Sequence, residues 1–76
     1  MKRTALIEAR KQSGMTQEEL SNASGVGRSY YSLIETGIRN PTLGIALKIA
    51  TALDKNIGEL FPDEIFFANK CYDTKL

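Results

Sequence analysis

Glu18 and Glu19 are the nearest thing in this chain to a catalytic pair of carboxylates. Consecutive side chains on a helix diverge by about 100°, so the two cannot face one reacting atom. Histidine is absent and cysteine occurs once, at Cys71, which removes the common metal-ligand sets and the nucleophile–base pairs of covalent catalysis. Neither G-x-x-x-x-G-K-S/T nor G-x-G-x-x-G occurs, so no phosphate-cradling glycine loop is expected. The chain therefore reads as a non-enzyme with no catalytic residue, no metal, no cofactor and no evident small-molecule site. The chemistry that remains is hydrogen bonding, and its value depends on the elements that present it.

With 76 residues the chain suits one domain with a single thin core. Apolar residues make up 42% and charged residues 25%, near the averages for globular proteins, which argues against disordered and fibrous classes. Met1, Lys2 and Arg3 resemble the charged start of an export signal, but Glu8 and Arg10 interrupt the apolar stretch that should follow. No segment is long enough to span a bilayer, and a lone cysteine fits a reducing compartment. A cytoplasmic protein with no membrane partner is expected. The net charge of +1 says little about partners. Residues 1–40 hold six basic residues against four acidic ones, a slight bias only.

An all-α chain of five short helices follows from the punctuation of the sequence. Residues 4–12 are good helix formers with Ala5, Leu6 and Ala9 at helical spacing, and Gly14 stops them. Thr16-Gln17-Glu18-Glu19 is a capping box that opens a second helix running to Ser24, where Gly25 can take the left-handed conformation. Gly27 caps a third helix, Arg28 to Thr36, closed by Gly37 and anchored by Tyr31 and Ile34. Asn40-Pro41 marks a loop. Thr42 caps a fourth helix whose Leu43, Ala46, Leu47, Ala50 and Leu53 form one apolar stripe. Asn56 and Glu59 repeat the capping logic for a short fifth helix that Pro62 ends. Residues 1–61 are expected to form the domain, and residues 62–76 a short extension with adjacent apolar Ile65, Phe66 and Phe67.

Two helices that cross over a short turn need a small residue at the crossing, a glycine in the turn and apolar anchors on both. Ser21, Gly25, Leu20, Val26, Tyr31 and Ile34 supply these, and the spacing is that of a DNA-binding helix-turn-helix. Gly14-Met15-Thr16-Gln17-Glu18-Glu19-Leu20, Gly25-Val26, Ile34-Glu35, Asn40-Pro41 and Leu47-Lys48-Ile49-Ala50 resemble the lambda repressor and Cro family over roughly residues 4–61. The resemblance implies a five-helix domain whose third helix enters the major groove of double-stranded DNA, as a homodimer on a pseudo-palindromic operator.

Residue by residue, the resemblance makes Gln17 a phosphate contact at a helix N-terminus, beside Thr16, a position that favours phosphate on general grounds. It places Arg28, Ser29 and Leu33 at base-reading positions, with Ser32 close by. An arginine can grip O6 and N7 of guanine, and a leucine can pack on a thymine methyl, although a core role for Leu33 is a rival reading. Tyr30 and Tyr31 diverge on the helix, so Tyr31 should be buried and Tyr30 should point outward, either to a phosphate or to solvent. Thr36, Arg39 and Asn40 would follow the sugar-phosphate backbone. Arg10 and Glu35 match a structural ion pair between the first and third helices. Ser21, Ser24 and Gly27 depart from the family's usual alanine, apolar residue and hydroxyl cap. The dimer surface is expected on the outer side of the fourth and fifth helices together with Ile65, Phe66 and Phe67. The rival reading of the whole chain is a protein-interaction module or antitoxin that uses the same fold to hold a protein partner.

Overall fold

The computed structural model describes residues 2–62. Five helices follow in order: α1 (Thr4–Gln12), α2 (Gln17–Ser24), α3 (Arg28–Thr36), α4 (Leu43–Leu53) and α5 (Ile57–Leu60). No strand occurs among the described residues.

Side-chain oxygens and left-handed residues fix where these helices start and stop. Thr16 Oγ1 accepts from the Glu19 N–H at 3.1 Å and Glu19 Oε1 accepts from the Thr16 N–H at 2.9 Å, which satisfies two otherwise orphaned donors reciprocally. Thr42 Oγ1 accepts from the Ile45 N–H at 3.2 Å and opens α4. At the other end of α2, Gly25 adopts φ 74°, and the Val26 N–H reaches back to the Ser21 carbonyl at 3.0 Å. Gly37 repeats this closure at φ 84°, with the Ile38 N–H on the Leu33 carbonyl at 3.0 Å. Both are Schellman ends, and the turn between α2 and α3 is thereby reduced to Gly25, Val26 and Gly27.

α2 packs on α3 and α4, while α1 packs on α5 and α3. Leu6, Leu20, Tyr31, Ile34, Ile49 and Leu60 are fully buried where these helices meet. Ser21 and Ser24 are buried on α2, and each hydroxyl donates to a carbonyl of its own helix, Glu18 at 2.9 Å and Ser21 at 3.2 Å respectively. The two serine departures from the family pattern thus carry no unmet hydroxyl donor into the core.

The α4 stripe is corrected by one position. Ala46, Ile49, Ala50 and Leu53 are buried, whereas Leu43 is half-buried and Leu47 is 47% exposed. α4 carries one charged residue, Lys48, so apolar positions recur in two overlapping phases that share Ala46, Ala50 and Leu53. The phase holding the larger set of mutually packed groups, with Ile49 at its centre, faces the core.

Candidate nucleic-acid interface

α3 presents one face outward and one inward. Arg28 and Ser29 are exposed and Ser32, Leu33 and Thr36 are half-exposed, at offsets that share one side of a helix. Tyr31, Ile34 and Glu35 point to the interior. Leu33 is therefore not a core residue. Tyr30 is not freely outward either: it is half-buried and packs against the core cluster. Arg39 and Asn40, just beyond α3, are exposed. The Thr36 hydroxyl donates to the Leu33 carbonyl at 3.1 Å, which leaves its lone pairs, not its proton, facing out.

Behind this face sits one buried carboxylate, Glu35, at 2% exposure. Arg10 Nε donates to Glu35 Oε2 at 2.6 Å and Arg10 Nη2 approaches Oε1 at 3.5 Å. The Tyr31 hydroxyl donates to Oε2 at 2.6 Å and Gln17 Nε2 donates to Oε1 at 2.8 Å. Arg10 Nη1 also reaches the Met15 carbonyl at 2.9 Å. One charge thereby ties α1, α2 and α3 together. Burial alone would raise the Glu35 carboxyl, but the hydrogen bonds from Arg10, Tyr31 and Gln17 outweigh it and hold the group below its ordinary value. The bond to Glu35 raises the Arg10 guanidinium. Burial, and then the Glu35 bond, push the Tyr31 hydroxyl well above its usual range. Arg10 and Tyr31 stay protonated and Glu35 stays ionised, so the hub is permanent at neutral pH.

The expected Arg10–Glu35 pairing is present, and Gln17 stands beside it with its amide engaged by Glu35. Two further residues join the hub beyond those expected from the sequence. The sequence expects Tyr31 in the core for its ring, and its i, i+4 spacing to Glu35 is the signal that marks its second role. Nothing in the sequence singles out Arg3, yet its backbone N–H donates to the Glu35 carbonyl at 2.9 Å and its Nη2 donates to Asn40 Oδ1 at 2.7 Å. No local pattern could have paired residues 37 apart. Ile65, Phe66 and Phe67 lie outside the described residues.

Among the described residues no cluster of His, Cys, Asp and Glu is arranged to hold a metal ion, and no helix is long and apolar enough to cross a membrane. What the arrangement can do is present a guanidinium, hydroxyls and a leucine on one braced helix face, with the Asn40 amide just beyond it.

The sequence profile of the helix-turn-helix family matches residues 6–60. The chain belongs to the helix-turn-helix family, of the lambda repressor and Cro type. This helix-turn-helix protein is 39% identical over 75 residues to the regulator YqaF of Bacillus subtilis strain 168, covering 99% of this chain and 91% of that one. It is 44% identical over 59 residues to a helix-turn-helix regulator of Archaeoglobus fulgidus, covering 78% of this chain and 84% of the relative. Among solved structures it is similar to the restriction-modification controller protein C.AhdI from Aeromonas hydrophila, with a TM-score of 0.72 and 47% identity over 75% of this chain and 86% of that chain. The helix-turn-helix protein is a transcriptional regulator built on a DNA-binding fold, and α2 with α3 is the helix-turn-helix.

Proposed function

We propose that this regulator binds a pseudo-palindromic operator as a homodimer and represses transcription by occupying it. The observation that carries the reading is the outward face of α3, where Arg28 and Ser29 are exposed at the helix start above a hub that locks the helix from behind. Arg28 reads a guanine, Ser29 and Ser32 bond adjacent edges, and Leu33 meets a thymine methyl. Thr16 and Gln17 at the start of α2, Tyr30, Arg39 and Asn40 meet phosphates and set the register, while Thr36, its proton already given to the Leu33 carbonyl, borders the backbone without donating to it. In a dimer the two α3 helices would sit about 34 Å apart, one turn of B-DNA. Residues 1–61 form the DNA-binding domain in this reading. The outer side of α4 and α5, with residues 62–76, forms the dimer surface. A cytoplasmic site of action goes with it.

The exposed Leu47 on α4 favours a protein contact of some kind, which keeps a protein-interaction role as the second reading. A gel shift on selected duplexes over a salt series separates the two. The operator reading expects binding that weakens steeply with salt and a loss of guanine preference, equivalent to about 1–3 kcal/mol, in Arg28→Ala. Binding that ignores both salt and Arg28 would sink it.

A further inference from the structure

The loop after α3 is tied at both ends but carries its polar side chains between them. At the near end the Ile38 and Arg39 N–H groups both bond the Leu33 carbonyl, at 3.0 and 3.2 Å. At the far end Pro41 is buried. Between them Arg39 and Asn40 are exposed, and an exposed amide ordinarily samples several rotamers and both orientations of its end group.

Arg3 removes that freedom. Its backbone N–H is fixed on the Glu35 carbonyl at 2.9 Å, in the last turn of α3. Its guanidinium lies 5.7 Å from the centroid of the Phe61 ring, which is buried against the core, so the planar group rests on a rigid apolar surface. From there Nη2 donates to Asn40 Oδ1 at 2.7 Å and to the Arg39 carbonyl at 3.3 Å. A guanidinium is a donor only, so the oxygen of the Asn40 amide, and not its nitrogen, must face Arg3. The Nδ2 protons are then turned away from it. Phosphate oxygens only accept, and an asparagine in the opposite orientation would offer them an acceptor.

We propose that Arg3 is a positioning residue for DNA binding: it orients the Asn40 amide so that its donor end meets the sugar-phosphate backbone. The proposal rests on the DNA-binding reading above. It assigns Arg3 a role through Asn40, not a phosphate contact of its own.

A double-mutant cycle tests it. Operator affinity is measured by fluorescence anisotropy for the full chain, Arg3→Ala, Asn40→Ala and the double variant, each first checked for wild-type helicity. Arg3→Ala and Asn40→Ala are each expected to weaken binding about fivefold per half-site, the equivalent of one hydrogen bond. The double variant should also lose about fivefold, not about 25-fold, because the second change removes nothing that the first left in place. The salt slope should be the same for Asn40→Ala and the double variant, since an arginine that itself met a phosphate would lower it by about one per half-site in either background. Multiplying losses, a lowered slope, or no loss in Arg3→Ala would each overturn the proposal while leaving the DNA-binding reading intact. If the wild-type chain binds no selected duplex, that reading fails and this role for Arg3 fails with it. Should Arg3→Ala not fold, Arg3→Met takes its place in the same cycle, because a thioether keeps an apolar stem against Phe61 but has no proton to donate to Asn40.

Discussion

Gln17 Nε2 donates to Glu35 Oε1 at 2.8 Å, so the first side chain of α2 is oriented by a buried carboxylate of α3. One amide proton is committed inward, and the other and the carbonyl oxygen are left for whatever lies outside. The stability of the domain and the geometry of its outward face are therefore set by the same group. Arg10 and Tyr31 fill Oε2, and that leaves Oε1 to Gln17 as the main donor.

Glu35→Ala should destabilise the domain strongly. It strands the Arg10 guanidinium, whose side chain is only 12% exposed, and the buried Tyr31 hydroxyl at one stroke. Removing one partner of a buried pair costs about 3 kcal/mol or more, which for a domain of this size lowers the melting temperature by at least roughly 12 °C. Glu18→Ala, at an exposed position, should change stability by less than about 0.5 kcal/mol. Thermal unfolding followed by circular dichroism compares them, and equal melting temperatures would refute the account of the hub.

The same hub should fail in acid. The Glu35 carboxyl is held below its ordinary value of 4.5 in the folded chain, so the folded state binds its proton less readily than the unfolded state. Its contribution is complete above that value and is lost as pH falls through the folded one. The stability difference between wild type and Glu35→Gln should thus be constant near neutral pH and shrink as pH falls below the ordinary value of 4.5 and on through the lower folded one. Urea midpoints at a series of pH values report it. A difference that stays constant into the acid range would show that the carboxylate is not the group that matters.

What could be read from the sequence was local. Thr16 with Glu19, Gly25 and Gly37 each act within one helical turn, and they mark three of the four helix boundaries of the helix-turn-helix, Gly27 marking the fourth. The face of α4 is ambiguous in the sequence because Leu47 and Ile49 offer phases that only packing against α2 and α5 can separate. Arg3 is illegible in the sequence because its partners lie across the fold. The pairing of Arg10 with Glu35 came from family resemblance, since nothing near either residue in the chain points to the other. The same holds for the outward residues of α3: the helix period says which share a face, and resemblance alone says what that face reads.

Asp54→Gly should stabilise the domain. Asp54 closes α4 at φ 56°, a left-handed conformation that strains a residue with a Cβ by about 1 kcal/mol. Its carboxylate also sits at the negative end of the helix dipole, where a cation would be favoured. Glycine removes both, against a loss of unfolded-chain order that offsets part of the gain. A net gain of about 0.5 kcal/mol, or a few degrees in melting temperature, is expected. A fall in stability would mean that the aspartate makes a compensating contact in solution.

Leu47→Glu should separate folding from assembly. Leu47 is 47% exposed and lines an open groove with Ala23, Ser24, Lys48, Thr51 and Ala52, so a polar residue there leaves the monomer core untouched. Helicity and the concentration-independent part of the melting curve should match wild type. If the outer side of α4 belongs to a twofold interface, each dimer carries the change twice. Burying two carboxylates where two leucine side chains met should raise the dimer dissociation constant at least about 100-fold, since every 1.4 kcal/mol is a factor of ten. Sedimentation equilibrium measures it directly. Operator affinity should fall in parallel, because a monomer holds one half-site and loses the linkage between the two. An unchanged dimer constant would move the interface away from α4, and a wild-type chain that stays monomeric would remove the homodimer from the proposed function.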